Sequence, residues 1–128
     1  MLYHDFHLSG YEVKDFGGTI ILHLNYEYPG VPRMESHIQF SDVACYEFIH
    51  TGHAIITDFD EVRIADALEG REKTMKKRCR QMGGYRFWDD NPRKYIANLE
   101  REGFRAWMLY ADIGFEGFVI AKDVRSLE

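Results

Sequence analysis

Apolar and polar residues alternate over much of the first half of the chain, and the period then changes to that of a helix. In GYEVKDFGGTIILHLNYEY, residues 10–28, Tyr11, Val13, Ile20, Leu22, Leu24, Tyr26 and Tyr28 fall on one face. Glu12, Lys14, His23, Asn25 and Glu27 fall on the other, as in a half-buried antiparallel ribbon. Gly17-Gly18 predicts a tight two-residue turn, because glycine adopts positive φ at no steric cost. That turn sets Val13 opposite Leu22 and Tyr11 opposite Leu24. PGVPR, residues 29–33, reads as a loop, since its prolines cannot donate to a ladder. In SHIQFSDVACYEFIH, residues 36–50, the apolar face runs Ile38, Phe40, Ala44, Tyr46, Phe48, and the interruption at Asp42 predicts a bulge. Thr51-Gly52 then turns the chain into AIITDF, a fourth strand hairpinned to the third.

From Asp60 onward Ile64, Leu68, Met75, Cys79 and Met82 form a helical stripe that stops at Gly83-Gly84. Gly70 interrupts it, which predicts two helices or one bent helix. WDDNPRKYIANLEREGF, residues 88–104, is a better specified helix. Asp90 or Asn91 caps it, Pro92 fits its first turn, Tyr95, Ile96 and Leu99 face inward, and Gly103 ends it. RAWMLYADIGFEGFVIAKDV closes the chain as a hairpin bent around Gly114 and Gly117. The order ββββααββ predicts an α+β fold: a mostly antiparallel sheet of about six strands with two or three helices on one side. At 128 residues this is expected to be one domain, spanning 1–128.

Composition narrows the class. Hydrophobic residues make up 45% and charged residues 29%, which is globular usage. No apolar run approaches the roughly 18 residues of a membrane helix. The start, MLYHDFHLSG, lacks the basic residues and apolar core of a signal peptide, so a cytoplasmic protein is expected. In that compartment Cys45 and Cys79 are expected as reduced, buried or half-buried thiols, with Cys79 placed by the helical stripe on the buried side. Unpaired edge strands leave a homodimer open.

The net charge of −5 is unevenly spread: residues 1–70 carry −9, residues 71–95 carry +6, and the remainder −2. The acidic run TDFDEVRIADALE supplies Asp58, Asp60, Glu61, Asp66 and Glu69, a candidate patch for a basic partner. REKTMKKRCRQMGGYR supplies Lys73, Lys76, Lys77 and Arg80, an alternative patch for phosphates. No nucleic-acid motif accompanies it, and Tyr85, Phe87 and Trp88 follow it without stacking spacing. A solvated helix face is the simpler expectation.

CYEFIHTGHAIITD places Cys45, His50, His53 and Asp58 within fourteen positions, all of them zinc-ligand types. In a hairpin turning at Thr51-Gly52, His50 faces His53 and Cys45 faces Asp58. The two pairs then lie about 15 Å apart at about 3.3 Å per residue, too far for one ion. His50 and His53 alone could hold a metal only with help from residues such as His37 or Asp42, and His4 and His7 raise the same question. No cofactor or metal is expected. Nucleotide-binding glycine loops, GxSxG, HExxH and CxxC are all absent. A metal-dependent or acid/base enzyme built on His50 and His53 stays as an alternative to a binding protein.

The C-terminal stretch LEREGFRAWMLYADIGFEGFVIAKDV resembles the ending of small bacterial immunity proteins of toxin systems, including contact-dependent growth inhibition. There, a helix ending in Gly leads to a strand, a glycine-bounded turn and a last strand like GFVIAK; Gly114, Gly117, Ala121 and Lys122 carry the likeness. IQFSDVACYEFIHTGHAIITDFDE is similar to the central hairpin of such proteins running into an acidic helix start. The basic block at 71–86 departs from the pattern, since many such proteins are acidic throughout. The resemblance implies a cytoplasmic inhibitor, without enzymatic activity or cofactor, that binds one cognate toxin domain, often a basic nuclease, and covers its active site or substrate surface.

Overall fold

Six strands and three helices follow one another as β1 (His7–Lys14), β2 (Thr19–Tyr26), β3 (Met34–His50), β4 (Ile56–Val62), α1 (Ile64–Ala67), α2 (Glu72–Met82), α3 (Pro92–Arg101), β5 (Arg105–Ala111) and β6 (Phe115–Leu127). This is the computed structural model of the chain, which describes residues 3–82, 85–89 and 91–127. The expected helix stop at Gly83-Gly84, Asp90 as a cap and the side chain of Met82 lie outside the described residues. The strands form one antiparallel sheet in the order β1-β2-β3-β6-β5-β4. The α+β architecture expected from the alternation is therefore present, with three helices. No helix among the described residues is long and apolar enough to cross a membrane.

The sheet curls until its two edges meet at one end. His7 bridges Ile55, the Asp5 amide donates to Ile56 O at 2.9 Å, and the Leu8 amide donates to Ala54 O at 3.0 Å. Inside the curl lies one apolar cluster drawn from every strand, including Leu8, Ile20, Leu22, Leu24, Ile38, Phe40, Ile56, Leu109 and Val119. Phe40 of β3 stacks on Phe59 of β4 with ring centroids 6.1 Å apart, so strands far apart in the sheet touch across the interior. The outer face of β3, β5 and β6 carries a second cluster, in which Cys45, Ala106, Phe118 and Ile120 pack under Ile64, Leu68, Met75, Tyr95 and Leu99 of the helical segment.

Local chemistry explains the helices. Asn91 accepts a hydrogen bond from the Lys94 amide at 3.0 Å, satisfying a donor the helix leaves orphaned, and Pro92 opens α3. Between α1 and α2, Gly70 adopts φ +78°, a left-handed conformation that ends the first turn and divides the predicted stripe into two helices.

Several expectations of register fail. The β1–β2 turn is a four-residue loop in which Asp15, Phe16 and Gly17 all take positive φ, while the Asp15 carboxylate accepts the Thr19 hydroxyl at 2.7 Å. Tyr11 therefore pairs with Leu22 and Val13 with Ile20, two residues away from the pairing a Gly17-Gly18 turn would set. In β3 the left-handed residue is Asp42, but the register shift falls between Val43 and Cys45. Val43 joins the interior and Ala44 the helix side, reversing the expected face of Ala44. Gly117 is not a turn residue: it lies within β6, where a Cβ would stand 2.5 Å from Phe48 Cδ1 and 2.6 Å from Glu47 O.

The largest correction concerns the hairpin at Thr51-Gly52, which does not form. β3 is flanked by β2 and β6, and β4 pairs with β5 at the far edge. The 13-residue β6 offers β3 a longer ladder than the seven residues of β4 could. Residues 51–55 instead cross the end of the curl beneath the β5–β6 turn, where the Thr51 amide donates to Gly114 O at 2.8 Å.

Candidate functional site

With the hairpin gone, the four metal-type residues of 45–58 separate. Cys45 is buried under the helices, and desolvation pushes its thiol up to about 12. Tyr95, whose hydroxyl is also raised by burial, lies beside it without a well-formed hydrogen bond. His50 packs on Tyr11 and Phe115, and Asp58 is exposed on β4. Cys79 is a free, half-buried thiol on α2, within the range expected of the two cysteines though less enclosed than the stripe alone implies. Among the described residues no group of three or more His, Cys, Asp or Glu is placed to hold an ion.

Histidines do pair, in combinations the sequence spacing does not indicate. His7 Nδ1 lies 2.7 Å from His53 Nε2 at the seam of the curl. His23 Nδ1 lies 2.7 Å from His37 Nδ1, while His23 Nε2 contacts Glu12 at 2.8 Å. Each pair is cross-strand or cross-seam, so only the register could reveal it.

The acidic candidates divide. Asp66 forms a two-pronged pair with Arg63 through bonds of 2.9 and 3.0 Å, and the Arg63 hydrogen bond lowers its pKa. Glu61 meets Arg105 at 3.3 Å. These two line a broad depression beside Glu100 and Phe104, with their charges already partnered. Glu69 is exposed just beyond α1. Asp58 and Asp60 are exposed on β4 and have no ion pair among the described residues.

Sheet order gives Asp58 and Asp60 new neighbours. Along β5 and β6, Leu109, Ala111, Phe115 and Val119 face the interior, while Ala106, Phe118 and Ile120 face the helices. Alternation then puts Tyr110 and Glu116 on the helix side. Tyr110 pairs with Glu116 and with Asp58, and Glu116 also pairs with Ile49. The row Asp58–Tyr110–Glu116–Ile49 crosses four strands. Asp60, Met108, Phe118 and Glu47 form the next row, where the helical cover begins. Arg71 lies 4.9 Å over the Phe118 ring, and Glu47 takes both Arg78 at 3.2 Å and Arg71 at 3.6 Å.

Beyond that cover the row is open. Tyr110 is 46% exposed, Ile49 48% and Ile113 of the β5–β6 turn 76%. Ile49, Tyr110, Ile113 and Glu116 line one shallow groove, with Asp112 at its end. Asp112 and Glu116, like Asp58 and Asp60, have no ion pair among the described residues. The result is an apolar strip with four exposed carboxylates in and beside it that make no ion pair among the described residues. Reading the acids of 57–69 alone finds only half of that set. Ile113, an apolar residue between Asp112 and Gly114 in a turn, is the one local hint of the rest.

The basic candidates Lys73, Lys76, Lys77 and Arg80 are all exposed on α2. None makes an ion pair among the described residues, whereas Arg71 and Arg78 of the same segment are held by Glu47. No protein-family model matches the chain, and no curated protein matches it.

Proposed function

We propose that this protein is a toxin-immunity type of inhibitor, acting in the bacterial cytoplasm by binding one cognate toxin domain and covering its active site or substrate surface. The observation that carries this reading is the exposed strip Ile49–Tyr110–Ile113 with the exposed carboxylates Asp58, Asp60, Asp112 and Glu116 in and beside it. Recognition surfaces commonly combine an aromatic or aliphatic centre with a charged, solvated rim. A nuclease must present cations to phosphate, so a set of exposed carboxylates complements the surface such a toxin uses on its substrate. Charge of that kind speeds encounter and fixes orientation, and salt weakens it. The resemblance of the C-terminal stretch to immunity proteins supports the same reading, and Gly114 to Glu116 of that stretch lie in the strip.

The test uses the toxin domain encoded beside this gene, purified and titrated calorimetrically. Tight binding is expected, with loss of the toxin's activity. Tyr110→Ser combined with Glu116→Lys should weaken it by about thirtyfold or more, the loss a central anchor produces. Lys73→Glu on α2 should bind as the parent does. No binding, or a strip variant that binds like the parent, overturns the proposal.

The four unpartnered cations of α2 support one second reading, a nucleic-acid-associated protein. It requires binding of RNA or DNA at about 50 mM salt with a steep salt dependence, measured by fluorescence anisotropy. Flat titrations at that salt remove it.

A further inference from the structure

The outer edges of β1 and β4 differ in a way that points to a self-contact. Beyond Leu8, β1 pairs only with β2 among the described residues, so its outer edge from Gly10 to Lys14 offers unused backbone groups. β4 likewise pairs only with β5 beyond Ile56. Were two copies of β4 to pair antiparallel about Phe59, Asp58 would face Asp60 on both sides. β4 is thus protected by repulsion. β1 is not.

Pairing two copies of β1 about Val13 sets Glu12 opposite the second copy's Lys14, twice by symmetry, and Val13 opposite Val13. Centring on Glu12 or Lys14 instead opposes like charges, so the charge pattern favours the Val13 centre over either neighbour. Beyond Lys14 the chain leaves the strand, so Phe16 stands in the loop at the end of that pairing. Two apolar side chains at the end of β1 and in the loop after it are exposed. Phe16 is fully exposed, and its backbone holds φ +58° in a loop whose next two residues are glycines. Val13 is 42% exposed beside it. A large aromatic held in a left-handed conformation in water is strained and unburied, the kind of outlier found where a contact is made.

We infer that the β1 edge is an isologous homodimer contact, made by antiparallel β1–β1 pairing about Val13 with reciprocal Glu12–Lys14 pairs and the exposed Phe16 at the end of the ladder. This surface lies on a different edge from the acidic strip, and its test needs no toxin, so either proposal can fail alone.

Sedimentation velocity of the full chain from about 10 μM to about 1 mM covers the affinity range of a small contact. A reversible monomer–dimer equilibrium is expected for the parent. Glu12→Lys and Lys14→Glu should each weaken the dimer by roughly tenfold or more, because each opposes like charges. The double swap should restore it, and Phe16→Ser should weaken it while leaving the circular dichroism unchanged. Glu12 also contacts His23, so Lys14→Glu is the cleaner single variant if Glu12→Lys disturbs the fold. A parent that stays monomeric throughout, single charge variants that dimerise like the parent, or a folded double swap that stays monomeric overturns the proposal.

Discussion

The two faces of the sheet bury apolar residues in different ways. The interior face is closed chiefly by the strands, with Ala54 of the 51–55 crossing and Tyr3 and Phe6 before β1 at its margin. The helix-side face is closed by α1, α2 and α3 and only in part: Phe118 is covered by Arg71, while Tyr110, one row on, stands in water. A face closed by separate helices ends where they end, and the strip proposed above for recognition begins there. Substitutions should separate the two faces.

The largest effect is expected inside the curl. Phe40 is fully buried, stacked on Phe59 and 5.6 Å from Trp107. Phe40→Ala should cost about 3–5 kcal/mol in urea unfolding, from lost transfer energy and the cavity left behind. Leu99→Ala, in the helix-side cluster, should cost about 2–5 kcal/mol. Amide exchange sharpens the contrast. Phe40→Ala should reduce protection in all six strands, and Leu99→Ala chiefly in the helices, β5 and β6. Equal losses everywhere in both variants would show that the two faces are not separable units.

The Glu47 cluster fastens the helical cover to the sheet and should give a smaller effect. Its side chain is 24% exposed and holds Arg78 of α2 and Arg71 just before it. Glu47→Gln keeps the shape and removes the charge. It should destabilise by about 1.5–3 kcal/mol, the usual worth of hydrogen bonds to a charged group. The loss should shrink in high salt, since screening already weakens the parent's pairs. A salt-independent loss would place the effect in packing instead of charge.

How much of this is legible in the sequence follows the same division. Alternation marks the interior residues Ile20, Leu22 and Leu24 correctly, because each strand must present one face to the core whichever strand it pairs with. The Asn91 cap and Pro92 are legible because capping is chemistry between residues three apart. Pairing is not local. The sequence favours a β3–β4 hairpin through Thr51-Gly52, yet β6, more than sixty residues away, takes that edge with a longer ladder. Two adjacent glycines suggest a two-residue turn at 17–18, but the Asp15–Thr19 hydrogen bond favours a longer loop. The strip suffers most. Asp58, Tyr110, Glu116 and Ile49 come from four strands, and only the order β3-β6-β5-β4 sets them in a row.

The smallest expected effect compares two thiols, one buried on β3 beneath the helical cover and one half-buried on α2. Burial raises Cys45 to about 12, so the folded state holds its proton while the unfolded chain releases it near the ordinary value of 9.0. The sign follows from proton counting. Below pH 9 both states are protonated and Cys45 gives stability no pH dependence. Above pH 9 the unfolded state binds fewer protons, so stability falls, by up to about 1.4 kcal/mol per pH unit until the folded thiol also ionises. Cys45→Ala should remove that component, leaving a shallower decline between about pH 9 and pH 11 in urea titrations. Cys79, half-buried on α2, should react first with a thiol reagent at pH 8, and Cys45 only at the rate of opening of the helix-side cluster. Equal labelling of both thiols in the folded protein would mean that α2 leaves the sheet far more readily than the Glu47 cluster allows, and the contrast between a closed interior and a fastened helical cover would fail with it.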